Sequence, residues 1–311
     1  MTFPIALQEH LRYAKKYTIT NKYIVFYTGQ SAIIYSRETG TYKKISNLKY
    51  TYQGYVSADE KHLLLVSNAN LFYLVSLEDC TIVIKHTIGR PYIDGLEGRA
   101  CWSQEKNKFY VPIQSRSTML STIREYRIGP QLEFSDYLCD KYWIIHISYV
   151  VCKQQYLAVG FDRDSHVWHF IWWEKNNEYT SYDLHDFQNA ILDITVSEDH
   201  KQITIISEVG IHCFDFTGKV KDKIGTFDSV ELKNILTDQS LDPFCVKCCL
   251  VSLTNPNLVY VGTINGLLLV DMSLHSVIKD IRIEFGVHNI SEIEDGMLIV
   301  ETWSGLKILE I

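Results

Sequence analysis

The sequence predicts an all-β fold, a seven-bladed β-propeller of four-stranded antiparallel blades that forms a single domain over residues 1–311. Two observations predict it. The chain contains 20 Tyr, 13 Phe and 6 Trp, and aromatic residues favour strands. A pattern of short apolar strands and polar turns also recurs about every 46 residues, which is close to the period of propeller blades. Closed all-β folds of this length often form one domain.

The repeated unit is clearest in the middle of the second half of the chain. Ala190–Val196 alternates apolar and polar residues, and a polar turn follows it. Gln202–Ser207 and Ile211–Phe216 predict the second and third strands, and Val220–Ile224 predicts a more polar fourth strand. Because the turns between them are short, the strands are expected to form antiparallel hairpins. Each unit is therefore predicted to be one four-stranded sheet.

Seven copies of this unit align on the residue just before the first polar turn. These residues are Ile19, Val56, Trp102, Val150, Val196, Val251 and Ile293. The widest spacing contains a long connection, Gly225–Phe244, in which Ser229–Leu236 predicts a short amphipathic helix. Seven blades are the favoured interpretation, with six or eight blades, or a pair of β-sandwiches, as alternatives.

The last unit supplies only three predicted strands. The segment Phe3–Gln8 belongs to no other predicted sheet, so we expect it to add the fourth strand to the last blade and close the ring. Pro4 suits an outermost strand, where the loss of one backbone N–H is tolerated. Closure would remove exposed sheet edges that could pair with other chains.

Two segments carry a resemblance to a known family. Ile191–Asp199 is followed by Gly210–Asp215, which ends in Phe214-Asp215, and Gly266–Asp271 ends in Val270-Asp271. Both segments resemble degenerate WD40 repeats, with these dipeptides standing at the position of the Trp-Asp pair. The chain thus resembles a divergent WD40-like, or quinoprotein-like, propeller.

Composition limits the partners and the location. A formal net charge of −7 argues against nucleic-acid binding, which gains affinity from Lys and Arg. Glu9 and Arg12 interrupt the apolar run that a signal peptide needs, and no apolar stretch is long enough to cross a bilayer. Eight cysteines, mostly within apolar strand patterns, indicate reduced buried thiols. We therefore expect a cytoplasmic monomer that binds no membrane.

Trp168–Trp173 is the most aromatic segment of the chain, and both of its faces are apolar. A strand wedged between neighbouring sheets has this character. We therefore expect this segment to pack in the core rather than to form an exposed binding surface.

Common catalytic motifs are absent from the sequence, including G-x-S-x-G, the Walker A loop, G-x-G-x-x-G and H-E-x-x-H. The leading hypothesis is a non-enzymatic protein-interaction scaffold that presents one rim of a rigid propeller to a protein or peptide partner. Connections between blades would form this rim, and Tyr, Trp and Arg are enriched in binding hot spots. The predicted partner-binding residues are Tyr92, Asp94, Tyr142, Trp143 and Asp193.

The axial channel supports an alternative hypothesis, a metal-dependent hydrolase or lactonase, or a small-ligand binder. Carboxylate and amide oxygens are the ligands that hard divalent cations prefer. The residues that could supply them are Glu97, Asn189, Asp193 and Glu292. Lys and Arg at neighbouring inner positions would repel a cation. The favoured expectation is therefore a solvated channel with no metal and no cofactor.

Overall fold

The structure is a computed structural model in which sequence-adjacent strands form antiparallel sheets. It describes residues 5–88, 100–105, 107–137, 141–150, 153–173, 179–184, 191–196, 202–207, 210–215, 229–241, 246–252, 254–255, 257–294 and 296–311. Seven sheets are present within these ranges.

In the first four sheets each strand pairs with the strand that precedes it along the chain. The first sheet contains β1 (Lys16–Ile19), β2 (Tyr23–Tyr27), β3 (Ala32–Ser36) and β4 (Tyr42–Ile45). The second contains β5 (Thr51–Val56), β6 (His62–Ser67), β7 (Leu71–Ser76) and β8 (Thr81–Thr87). The third contains β9 (Cys101–Trp102), β10 (Lys108–Gln114), β11 (Ser121–Arg127) and β12 (Glu133–Tyr137). The fourth contains β13 (Tyr142–Val150), β14 (Gln155–Asp162), β15 (Val167–Trp173) and β16 (Tyr179–Asp183).

The remaining three sheets follow the same order, and the described residues also contain two helices. The fifth sheet contains β17 (Ile191–Val196), β18 (Gln202–Ser207) and β19 (Gly210–Asp215). The sixth contains β20 (Val246–Val251), β21 (Leu258–Thr263), β22 (Gly266–Asp271) and β23 (Ser276–Arg282). The seventh contains β24 (Asn289–Glu294), β25 (Met297–Thr302) and β26 (Gly305–Glu310). The helices are α1 (Ile5–Leu11) and α2 (Ser229–Asp238). Neither of these described helices is long and apolar enough to span a membrane.

The first strand of each sheet ends where the repeat alignment predicts. Six of these strands end at the alignment residue itself, and β24 ends one residue after Ile293. Ser57, Ser103 and Ser252 directly follow three of the strands and are buried. Each of these hydroxyls accepts a hydrogen bond from a backbone N–H in the turn. The serine side chain therefore helps to hold the polar turn that marks the repeat.

Strands in the middle of a sheet are buried on both faces. In β6, Leu63 and Leu65 join an apolar cluster with the first sheet, whereas Leu64 and Val66 join a cluster with the third sheet. The sequence of a strand that packs against sheets on both sides is a continuous run of apolar residues. The same explanation holds for Trp168–Trp173, whose side chains are buried, so its predicted core packing is confirmed.

The fourth strands are the most exposed in their sheets. In β8, β12 and β16 most side chains are exposed. This burial pattern agrees with a more polar fourth strand in these three sheets, whereas the fourth strand predicted at Val220–Ile224 lies outside the described residues.

A β-bulge recurs near the start of four first strands, and the repeat spacing does not predict it. The pairing register shifts at Thr51/Gln53, Ile144/His146, Ile191/Asp193 and Val246/Cys248. A bulge bends its strand and increases the local right-handed twist. The repeated units therefore share a distortion of the backbone in addition to their strand order.

The N-terminal segment corrects one prediction. The described part of Phe3–Gln8 lies in the helix α1 rather than in a strand of the last sheet. Leu7 and Leu11 are buried and stand four residues apart, which is the spacing of one helix face,. Ala, Leu, Gln and Glu are also strong helix formers. Helix α1 contacts β26, so the segment reaches the predicted sheet in a different conformation.

Helix α2 confirms the helix predicted within the long connection. Its side chains Ile235 and Leu236 are buried in an apolar cluster with β21 and β22. The helix also contacts β23 and β19. Its apolar face therefore stabilises this part of the fold by burial.

The chain divides into two compact units. The terminal unit comprises Met1–Ile19, Asn189–Ser197 and Gln202–Ile311. The middle unit comprises Thr20–Gln188 and Glu198–Lys201. That residues 1–311 form one propeller domain stays a prediction.

Candidate functional site

Exposed apolar side chains occupy neighbouring connections at one end of the sixth and seventh sheets. Ile264 follows β21, Phe285 follows β23, and Trp303 follows β25. Their exposed fractions are 48%, 54% and 73%. Tyr13, which follows α1, is 65% exposed. We call these four residues, together with His288, the aromatic edge; all five belong to the terminal unit.

Trp303 is held at the tip of a two-residue hairpin turn. Thr302 pairs with Gly305, and the Thr302 hydroxyl donates a hydrogen bond of 2.7 Å to the Gly305 carbonyl. Gly305 has a φ of +129°, and a Cβ at this position would lie 2.6 Å from the Arg12 carbonyl oxygen. Glycine is therefore the residue that fits. This turn presents the indole ring to solvent.

Phe285 has a backbone conformation that disfavours its own residue type. Its φ is +69°, and that of the following Gly286 is +67°. Bulky residues rarely adopt the left-handed region, and the Phe285 side chain gains little from burial because it is more than half exposed. The loop itself is fixed, since the backbone N–H of Val287 donates to the Thr263 carbonyl at 2.8 Å. Neither local propensity nor core packing accounts for phenylalanine at this position.

His288 supports the indole ring of Trp303. The two ring centroids lie 4.6 Å apart in a T-shaped arrangement, and the His288 backbone N–H donates to the Glu301 carbonyl at 2.8 Å. Burial lowers the pKa of His288, and Lys247 lowers it further, against the opposing effect of a hydrogen bond to the Phe285 carbonyl. The lowered pKa favours the neutral imidazole, which gives the indole an uncharged contact,.

The predicted rim residues that the structure describes lie at the start of β13. Tyr142 is 1% exposed, and its ring centroid is 5.2 Å from that of His169. Trp143 is half-buried and lies 6.1 Å from Trp168, measured between ring centroids. The Tyr142 side chain is thus covered, and Trp143 is the one of this pair that retains exposed surface.

The side chains of the other three predicted rim residues are not described. Tyr92 and Asp94 lie outside the described residues. Asp193 lies in β17, and its side chain is not among those described. The binding role of all five predicted residues stays a prediction.

Among the four residues of the alternative metal site, Glu292 is the one whose side chain the structure describes. Its side chain is 5% exposed, and its Oε1 accepts hydrogen bonds of 3.3 Å from the Tyr260 hydroxyl and the Gly296 backbone N–H. These donors give Glu292 a structural role that joins the sixth and seventh sheets. Glu97 and Asn189 lie outside the described residues. Within the described part of the chain, no group of three or more His, Cys, Asp or Glu side chains could hold a metal ion.

Sequence reasoning missed Trp303 and Phe285. The signal for Trp303 was present, because the segment Thr302–Gly305 separates two apolar strands with a turn. A residue at the tip of such a short turn has no strand on either side to cover it. The position of Phe285 carried no comparable signal, since its left-handed backbone is not a property of phenylalanine.

Three solved structures resemble the chain over nearly its whole length. The β-propeller domain of Cps50 (Swd1) from Myceliophteria thermophila has a TM-score of 0.69 at 12% identity, covering 96% of this chain and 97% of that chain. Hydrazine synthase from Kuenenia stuttgartiensis has a TM-score of 0.68 at 10% identity, covering 97% and 96%. A chain of the mitotic checkpoint complex has a TM-score of 0.62 at 12% identity, covering 96% and 87%. The chain has a β-propeller fold. No protein-family model and no curated protein matches it.

The two dipeptides that resemble a Trp-Asp pair both lie at strand ends. Phe214-Asp215 ends β19, and Val270-Asp271 ends β22. Both are third strands, so the two dipeptides occupy equivalent positions in their sheets. The seven described sheets correspond one to one with the seven predicted units. That they are the seven blades of one closed ring stays a prediction.

Proposed function

We propose that this WD40-like propeller is a non-enzymatic scaffold that holds a protein or peptide partner at the aromatic edge. The observation that carries the proposal is the exposure of Trp303 and Phe285 on neighbouring connections. Contiguous exposed apolar surface marks interaction sites, and aromatic residues dominate binding hot spots. None of the catalytic motifs named above occurs in these connections.

Two further observations support a binding role. The left-handed backbone of Phe285 is a local strain, and such strain concentrates at functional sites. One of the similar structures belongs to the mitotic checkpoint complex, which is consistent by fold analogy with a role in a protein assembly. We expect the scaffold to act in the cytoplasm, as a monomer until it meets its partner, and without a cofactor.

Affinity purification from the source cell tests this function. Wild-type protein and the double variant Trp303→Ala/Phe285→Ser are compared, with Leu274→Ala as the matched control. Leu274 is 67% exposed in the turn between β22 and β23, at the other end of the sixth sheet. We expect wild type and control to retain the same partner and the double variant to lose it.

Two results would count against the proposal. If wild-type protein retains no specific partner, the scaffold function is wrong. If the double variant retains the same partner as the wild type, the scaffold function survives but the partner binds elsewhere. Matching thermal unfolding of all three proteins establishes that the substitutions leave the fold intact.

A further inference from the structure

We infer that the aromatic edge binds an acidic peptide segment that carries an apolar anchor residue. This inference rests on the proposed scaffold function and names the chemistry of the partner. Three features of the terminal unit carry it: a basic connection, the fixed position of that connection beside Trp303, and the apolar surface that continues from it.

The connection between α1 and β1 is basic in an acidic chain. The connection comprises residues 12–15 and contains Arg12 and Lys15 and no Asp or Glu, and Lys16 begins β1. Glu9 precedes it in α1, and the whole chain has a formal net charge of −7. Arg12 and Lys15 are exposed. A local positive region on an acidic protein attracts acidic segments and orients them as they approach.

This basic connection is fixed directly beside Trp303. The Arg12 and Ala14 carbonyl oxygens lie 2.6 Å and 3.3 Å from the position that a Cβ of Gly305 would take. The Lys15 Nζ also donates a hydrogen bond of 3.4 Å to the Trp303 carbonyl. The backbone of Arg12 and the Lys15 ammonium group therefore lie beside the turn that presents the indole.

The apolar part of the surface extends away from these cations. The Phe285 loop lies against the turn that contains Ile264, because a Cβ on Gly286 would lie 2.8 Å from the Ile264 carbonyl oxygen. At this far end the charges are mixed, since Arg282 lies 3.6 Å from Asp280 and Glu284 is exposed. We therefore place the acidic residues of the peptide beside Arg12 and Lys15, and its apolar anchor beside Trp303.

The indole and the turn that carries it are supported by contacts within the protein. His288 packs against its ring at 4.6 Å, and the turn that carries it is fixed by the hydrogen bond between Thr302 and Gly305. Binding to a preorganised aromatic residue loses less conformational entropy than binding to a mobile one. This property favours Trp303 as the residue that contributes most to affinity.

A protein segment fits this surface better than a nucleic acid. Nucleic-acid affinity grows with the number of phosphates that Lys and Arg neutralise. The connection supplies two cations, Lys16 adds a third at the start of β1, and the rest of the chain has a net negative charge. A short peptide that carries a few carboxylates and one apolar side chain matches both the number of cations and the adjacent aromatic surface.

Fluorescence anisotropy with labelled probes tests the inference. One peptide set places Asp and Glu around a single Leu, Ile or Phe; a second set replaces the acidic residues with Lys and Arg; a single-stranded oligonucleotide is the third probe. The proteins are wild type, Trp303→Ala, Arg12→Glu/Lys15→Glu, and Leu274→Ala as control. Iodide quenching of tryptophan fluorescence gives a second readout, because a bound peptide should shield Trp303.

We expect wild type and Leu274→Ala to bind the acidic set alike. Trp303→Ala should weaken this binding by at least ~10-fold, as for a hot-spot residue. Arg12→Glu/Lys15→Glu should weaken it by roughly 10-fold and reduce its dependence on salt. Tight binding of the basic set, displacement of the peptides by the oligonucleotide, or unchanged binding by the charge-reversal variant would overturn the inference.

The result separates the inference from the proposed function. If wild-type protein retains a partner in the affinity purification but binds no acidic peptide, the inference alone fails. If it retains no partner and binds no peptide, both fail.

Discussion

Two groups of aromatic residues at sheet ends, one group in each unit, have different environments. In the middle unit, Trp143, Phe161 and Trp168 lie side by side across β13, β14 and β15, and Trp168 is buried. In the terminal unit, Trp303 and Phe285 are exposed. The first group lies within paired strands and the second lies in turns. For these two groups, position relative to the strand ends, rather than aromatic content, separates packing residues from candidate binding residues.

The largest expected effect is the loss of stability when a buried tryptophan is replaced by alanine, compared with the same replacement of the exposed Trp303. Trp173 is 2% exposed and stacks on Tyr156 at 5.3 Å, so Trp173→Ala should lower the free energy of unfolding by about 3–5 kcal/mol. Trp303→Ala should change it by less than about 0.5 kcal/mol. Denaturant unfolding measures both. An equally large loss in Trp303→Ala would show that the aromatic edge is a packing element.

The second prediction concerns two glycines that allow close packing, one in each unit. A Cβ on Gly160 would lie 2.9 Å from the Tyr142 Cβ, and a Cβ on Gly262 would meet the Cys248 Sγ and lie 2.9 Å from the Val287 carbonyl oxygen. Gly160→Ala and Gly262→Ala should each cost about 1–3 kcal/mol, as overpacked cores do.

Gly129→Ala is the control for these glycines. Gly129 is exposed, and the nearest atom to its Cβ position is 3.4 Å away. Its substitution should leave the unfolding midpoint in denaturant close to that of the wild type. A loss of stability in the control as large as in the two core variants would contradict the packing explanation.

A smaller effect, of opposite sign, is expected at Phe285. Asparagine tolerates the left-handed backbone better than phenylalanine does, so Phe285→Asn should raise the free energy of unfolding by about 0.5 kcal/mol. The same variant should bind the partner more weakly. A variant with lower stability would mean that the half-exposed ring contributes more by packing than its backbone conformation costs.

The smallest expected effect is a dependence of stability on pH, to which one histidine from each unit contributes. Burial lowers the pKa of His86, with a further contribution from Arg124, and burial also lowers the pKa of His288. The unfolded chain therefore binds more protons than the folded protein as the pH falls below about 6.5. The stability that these groups contribute is complete above that pH and is lost on acidification.

His86→Gln and His288→Gln test this pH dependence separately. Each substitution should reduce the loss of stability between neutral and mildly acidic pH, as measured by thermal unfolding. NMR titration of the two imidazoles should give pKa values below that of a free histidine. If the pKa of either imidazole equals that of a free histidine, that residue does not contribute to the pH dependence of stability.

The strand order was predictable from sequence because it depends on local patterns. Alternation, polar turns and their spacing located the ends of the first strands, from Ile19 to Val251, and the helix at Ser229–Asp238. The α1 segment was predicted incorrectly because Ile5–Gln8 is too short to distinguish a strand from a helix. Its position was correct in one respect, since it does reach the last sheet.

The candidate site was less predictable because exposure depends on contacts between distant segments. Tyr142 looks like a rim residue in sequence, but the missing side chain of Gly160 lets its ring pack inward. The basic residues Arg12 and Lys15 look like an ordinary solvated segment. Their significance comes from the contact with the Trp303 turn, almost three hundred residues away in the chain.

The hydroxyl of Tyr17 donates a hydrogen bond of 2.9 Å to the Ser291 side chain, across 274 residues of sequence. Most other pairings join strands that are consecutive along the chain, and such short loops close quickly. During synthesis, sheets can therefore form one after another as their residues leave the ribosome. The Tyr17 hydroxyl can form its hydrogen bond only after β24 has been synthesised. This contact is therefore a late step, after the single sheets have formed and before the native protein is complete.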